Sequence, residues 1–174
     1  VLLLAVFAIA LACLVFSYFY LRSDALEWPP AGIALPGLFR PSLMTGIALA
    51  GAGAAYFAHR SIRRGKQAAL VLGLAGSFGM LILLLGVQLV EYLATPFGPQ
   101  THAYGSLFFT ILGFHSALVL GGLAISAVTQ VQAWLGYFTA QRNLAVENTA
   151  IYAYFVAASW LIVYGLLYLS PRLL

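Results

Sequence analysis

The chain is 174 residues long, 63% hydrophobic and only 7% charged, and a water-soluble domain of that size needs far more polar surface to cover its core. Its net charge of +4 comes from eight Lys and Arg against four Asp and Glu, spread over segment ends with no groove-sized basic face, which excludes nucleic acid as a partner. Lipid is the solvent this composition requires, and no segment alternates apolar and polar residues as a membrane β-barrel would.

A bilayer core about 30 Å thick takes roughly 20 apolar residues per helical span. Five runs qualify, so helices are predicted over 1–21, 43–60, 68–93, 102–129 and 147–169. The predicted fold is all-α, an integral membrane bundle of five transmembrane helices occupying 1–174 as a single domain. The first run is longer than the apolar part of a signal peptide and no basic leader precedes it, so it is read as a true span. It carries the lone Cys13, which has no intrachain partner for a disulfide. The loop that follows contains WPPAGIALPG, whose three prolines and two glycines favour an extended, turn-rich backbone.

The second run leads into AHRSIRRGKQ, where Arg60, Arg63, Arg64 and Lys66 crowd one turn, whereas 94–103, after the third run, has no Lys or Arg. Basic residues accumulate on the cytoplasmic side, which places this turn and the N-terminus inside and the Trp28 loop and C-terminus outside. Arg142 agrees, while Arg22, Arg40 and Arg172 fall outside, a bias of five against three. Pro96 and Pro99 close the third helix, and Pro171 follows the fifth. Glycines inside the spans, Gly46, Gly51 and Gly53, then Gly73, Gly76 and Gly79, then Gly113, Gly121 and Gly122, let helix backbones approach closely.

Few residues could carry chemistry inside the membrane. Of three histidines, His59 and His102 sit at helix ends and only His115 lies deep in a span. Haem or copper in a helical bundle needs several convergent imidazoles, and HxxxH, CxxC, HExxH and GxSxG are all missing, so no cofactor or metal is assigned to this chain. Glu91, with Gln88 one turn before it on the same face, is read as an acid reaching the interface or pairing with a neighbouring helix. Glu147 opens the fifth helix, where a carboxylate complements the macrodipole. His115 is read as a polar group bonding across helices. Trp28, Trp134 and Trp160, with ten tyrosines, are read as interfacial anchors. Lipid-headgroup binding is the alternative, with Arg60 and Arg63 placed to clamp a phosphate.

Several segments together resemble subunit III of cytochrome c oxidases and related quinol oxidases. YFYLRSDALEWPPAGI looks like the first helix exit and WPP loop of bacterial members. AHRSIRRGKQ resembles the family's basic turn through His59, Ser61 and Gly65. QLVEYLATPF and YGSLFF keep Gln88, Glu91, Tyr92, Pro96, Phe97, Tyr104, Gly105, Ser106 and Phe108 at the family's spacing. GFHSALV resembles GFHGLHV, and VENTAIYAYFVAASW resembles FExxxxYWHFVDxVW through Glu147, Tyr152, Phe155, Val156 and Trp160. Departures are Phe7 at the family's buried first-helix Glu, Leu118 and Tyr154 at two histidines, and Ala157 at an Asp. Each is read as removing a polar group from the bundle interior, and the loss at Phe7 puts proton conduction through this chain in doubt.

The resemblance implies a non-catalytic subunit of a haem-copper terminal oxidase, with haem and copper in partner subunits. The expected partners are catalytic subunit I, other oxidase subunits and phospholipids in a hetero-oligomer, in a bacterial cytoplasmic membrane. Longer members have seven helices, and these five would correspond to their last five. An accessory subunit III homologue of a nitric oxide reductase or quinol oxidase is the alternative within the family, and a small transporter the alternative outside it, although inverted repeats and broken helices are missing. Candidate lipid or bundle polar contacts are Glu91, His115, Glu147, His59, Arg60, Arg63 and Trp28.

Overall fold

Five helices form where the five apolar runs stand, each long and apolar enough to cross a membrane, and no strand occurs among the described residues. The computed structural model describes residues 2–30, 32–33 and 35–173. Val1 of the first predicted helix, Ala31 and Ala34 of the proline-rich loop, and Leu174 lie outside the described residues. The helices are α1 (Leu2–Asp24), α2 (Phe39–Arg63), α3 (Gln67–Ala94), α4 (Ala103–Trp134) and α5 (Leu144–Tyr164). A π-helical turn, Gly165–Leu169, and a last α-helical turn, Ser170–Leu173, continue α5 without a break. By length and composition of its helices this is an integral membrane protein.

Several boundaries differ from the sequence expectation. α2 starts at Phe39 rather than 43 because Pro41 falls in its first turn, where a missing N–H costs no helical bond. The same logic fails to stop the fifth span at Pro171, which lies inside the final turn. α4 runs on to Trp134, and α5 begins at Leu144, three residues before the predicted start.

Two helices end on glycine in the left-handed region. Gly65 (φ +69°) donates to Ile62 O at 2.8 Å and Lys66 donates to Ser61 O at 3.0 Å, closing α2. Gly136 (φ +75°) donates to Ala133 O and Tyr137 to Gln132 O, both at 3.1 Å, closing α4 the same way. These caps satisfy carbonyls that the helix leaves without partners, and a β-carbon would strain either one.

α2 and α3 form an antiparallel pair in which small residues face each other. An added β-carbon at Gly73 would lie 2.8 Å from Ala58 Cβ, so the helices touch backbone to backbone there. Gly51 meets Met80, and on α4 Gly121 and Gly122 receive the Tyr152 ring. Gly46, Gly53 and Gly79 face open space, so the small residues of α2 and α3 are only in part packing residues. Leu84, Phe108, Ile111, Val156 and Trp160 fill the centre of the bundle, and α1 attaches at its edge to α4 and α5. Since consecutive helices alternate direction, Asp24, Arg40, Glu91, Tyr104 and Tyr168 share one end of the bundle, the proline end. The 64–66 turn and the α4–α5 connection share the other, the basic end.

Candidate functional site

Glu91 is fully buried near the C-terminus of α3, and a carboxylate at that depth needs compensation. Arg40, in the first turn of α2, donates its Nε–H to Glu91 Oε2. The Tyr168 hydroxyl donates to Oε1 at 3.2 Å. Both carboxylate oxygens are thereby engaged, one from α2 and one from the π turn.

The π turn places Tyr168 there. Leu166, Leu167 and Tyr168 are consecutive and all buried, a span too wide for the inner stripe of a regular α-helix at 100° per residue. Pro171 has no N–H to return to Leu167, and the freed Leu167 carbonyl accepts the Tyr104 hydroxyl at 3.2 Å. Ser170, also buried, meets the Tyr18 hydroxyl at 2.9 Å and Arg22 Nη1 at 3.4 Å, which ties α1 to the same end. Arg172 donates to the Pro36 and Tyr168 carbonyls. Every arginine at the proline end is therefore bonded within the chain.

About a turn deeper, His115 of α4 bridges two helices. Its Nε2 lies 3.2 Å from Val156 O, a group that can only accept, so Nε2 carries a proton. Nδ1 is hydrogen-bonded to the Gln88 amide nitrogen at 2.7 Å, and Gln88 Oε1 accepts from Ser116 at 3.3 Å. Trp160 packs against the imidazole with ring centroids 5.1 Å apart and donates its indole N–H to Thr45 at 3.0 Å, joining α5 to α2. In hydrocarbon such bonds hold helices together because the alternative is an unpaired polar group.

The other residues singled out in the sequence lie elsewhere. Trp28 stands edge-on between Tyr18 and Tyr104, with centroids 5.5 Å from each, and its indole nitrogen is buried without a partner among the described residues. Glu147 lies in the first turn of α5, half-buried, and its carboxylate makes no hydrogen bond among the described residues. His59, Arg60 and Arg63, with Arg64 and Tyr56, line an open recess of about 300 Å³ at the basic end, where Arg60 donates to the Tyr56 hydroxyl at 2.9 Å.

Two expectations are corrected. Trp160 is no interfacial anchor, since it is wholly buried against His115, and only Trp134 is well exposed among the three tryptophans. Tyr154 is 37% exposed on the outer surface of α5, so the substitution there does not empty the bundle interior, unlike buried Leu118 and Ala157. Sequence reasoning also missed Arg40, Tyr168 and Tyr104. A signal for Arg40 existed, because a buried acid in a span demands a cation and only three arginines stand at that end.

The buried carboxylate is paired and both imidazole nitrogens of His115 are hydrogen-bonded; among the described residues no three His, Cys, Asp or Glu gather as metal ligands. A family model described as cytochrome c oxidase subunit III matches residues 2–171. The chain belongs to the cytochrome c oxidase subunit III family. Proteins named cytochrome c oxidase subunit 3 from Glycine max and Marchantia polymorpha are each 32% identical over 142 residues, covering 81% of this chain and 54% of theirs. One from Helianthus annuus is 34% identical over 130 residues, covering 74% of this chain and 49% of its own. The chain thus spans about half the length of the curated relatives it matches. Phe7, where the resemblance leads one to expect an acid, is half-buried and packs edge-on against Phe114 with ring centroids 6.3 Å apart.

Proposed function

We propose that this chain is the non-catalytic third subunit of a haem-copper terminal oxidase, in a respiratory complex that reduces oxygen to water and pumps protons. It stabilises catalytic subunit I, binds phospholipids and supports proton uptake from outside the reaction centre, while haem and copper reside in partner subunits. The observation that carries this reading is the family match over 2–171. The donor set is consistent with it. His59 and His102 stand at opposite ends of the bundle, His115 uses both nitrogens in hydrogen bonds, and a haem iron needs an open axial ligand. A tagged chain drawn from native membranes is expected to bring a haem-bearing partner with it. The chain separated from that partner is expected to show no Soret absorption. A stoichiometric Soret band from the separated chain, or purification without any haem protein, would overturn the reading.

The same proposal places the basic end in the cytoplasm of a bacterial membrane, a setting that rests on the resemblance of 18–33 to the WPP loop of bacterial members. Arg22, Arg40 and Arg172, the three cations that run against the charge bias, are hydrogen-bonded inside the chain. Arg60, Arg63, Arg64, Lys66 and Arg142 are exposed at the other end, where the charge bias sets orientation. A reporter fused to the C-terminus is expected to be active only outside; activity confined to the cytoplasm would invert the topology.

A further inference from the structure

Gln130, close to the end of α4, is 5% exposed, and its amide is only half satisfied. Nε2 donates to Val71 O on α3 at 3.5 Å, and because a carbonyl can only accept, the orientation of the amide is fixed. Oε1 is buried without a partner among the described residues, a costly state for an acceptor in a membrane span. The side chain lines an open groove of about 310 Å³ between α3 and α4, together with Ala75, Gly79, Ala127, Val131 and Trp134. Nothing lies within 4 Å of a β-carbon added at Gly79, nor at Gly86, which is two turns further along the same face of α3. From Ala75 to Gly86 this open seam is about 17 Å long at 1.5 Å per residue, or about three turns of helix.

Small residues that let backbones approach, joined to a polar side chain that lacks a partner, are what helix contacts in lipid are built from. We propose that the α3–α4 groove docks one transmembrane helix of a different polypeptide, which packs against Ala75 and Gly79 and presents a serine or threonine hydroxyl to Gln130 Oε1. Acyl chains carry no donor, so they fill the groove without satisfying the amide. A small hydroxylated solute satisfies the amide but does not cover about three turns of seam. A second copy of the chain fails on depth. Among the described residues, the exposed serines and threonines of its helices, Ser23, Ser42, Ser106 and Thr110, stand toward the proline end, whereas Gln130 is near the basic end. Copies inserted with one orientation share that depth. The docking seam goes beyond the proposed oxidase role and holds whichever complex the chain serves.

The photoreactive residue benzoylphenylalanine is placed at Val131, an exposed position of the groove, and the chain is irradiated within its complex in native membranes. Mass spectrometry is expected to find an adduct to a transmembrane segment of another polypeptide, with a serine or threonine within one turn of the linked residue. Gln130→Leu separates the two roles of the amide by sign. It removes the unpaired acceptor, so the full chain alone in detergent is expected to melt at a higher temperature. Retention of the partner through detergent washing is expected to fall about tenfold, the scale of one interhelical hydrogen bond. Gly79→Leu meets nothing inside the chain and replaces a poor helix former, so its melting temperature is expected to hold or rise while the partner is lost. Alanine in place of the partner's hydroxyl residue is expected to add little to the Gln130→Leu loss, since one bond is not lost twice. Adducts only to lipid, to a membrane solute or to a second copy of the chain would overturn the proposal, as would no adduct at all or full retention of the partner by Gly79→Leu. A helix captured in a complex without haem would leave the docking seam standing and remove the oxidase reading instead.

Discussion

Arg40→Met is expected to destabilise the bundle by about 3 kcal/mol, because it leaves the Glu91 carboxylate buried with only the Tyr168 hydroxyl as partner. The figure sits at the low end for a broken buried pair because Arg40 is 36% exposed, so solvent already shares its charge. The double substitution Arg40→Met with Glu91→Leu is expected to recover most of the loss, since the cost lies in the unpaired charge and not in the missing attraction. Glu91→Gln is expected to cost less than Arg40→Met, because a neutral amide oxygen still accepts from Tyr168 and the freed guanidinium can turn to water. Thermal unfolding in detergent measures all three. A double variant as unstable as Arg40→Met would show that the pair acts through shape rather than charge. In the proposed oxidase complex, Glu91→Gln is expected to leave the initial oxygen-reduction rate nearly unchanged while shortening subunit retention. An immediate collapse of turnover with subunit and lipid content intact would instead place Glu91 on a proton path.

Gly73→Ala is the second large effect. The new β-carbon would lie 2.8 Å from Ala58 Cβ and 2.9 Å from both Ala58 Cα and N, all closer than carbon or nitrogen neighbours tolerate. Two of those three atoms are backbone, so no rotamer change relieves the contact and α2 must move away from α3. Better helix propensity of Ala offsets up to about 1 kcal/mol, and overpacking of this kind costs about 1–3 kcal/mol, so a net loss of about 1–2 kcal/mol is expected. Ala58→Gly should rescue it only in part, since the backbone contacts remain. Gly53→Ala, on the open face of the same pair, is expected to be neutral or slightly stabilising. Equal melting temperatures for Gly73→Ala and Gly53→Ala would refute the close approach of the two helices.

The family and the five spans were legible without coordinates because both are written in contiguous segments. QLVEY with its following Pro96 and YGSLFF is a local pattern, and a run of apolar residues is a local property as well. Boundaries were less legible, for an identifiable reason. Proline reads as a helix stop, yet Pro41 and Pro171 each occupy a position where the missing N–H is tolerated, in the first instance by the orphan donors of a first turn and in the second by a π turn whose freed carbonyl takes a tyrosine hydroxyl. Trp160 illustrates a different failure: tryptophan is common at membrane interfaces, but this one lies far enough along α5 to reach His115 and Thr45, and composition does not report depth against a neighbour.

By itself the sequence determined the solvent, the number of spans, the charge asymmetry between the ends and the family, since hydropathy and motif spacing depend only on order along the chain. Only the tertiary structure decided which polar groups meet. Glu91 is 51 residues from Arg40 and 77 from Tyr168, and Gln88 is 27 from His115, separations over which helix rotation and the π turn, not sequence order, set contact. That Gly53 is an open notch while Gly73 is a backbone contact depends on which face of each helix packing covers, and in lipid every face of a span is apolar enough to be either.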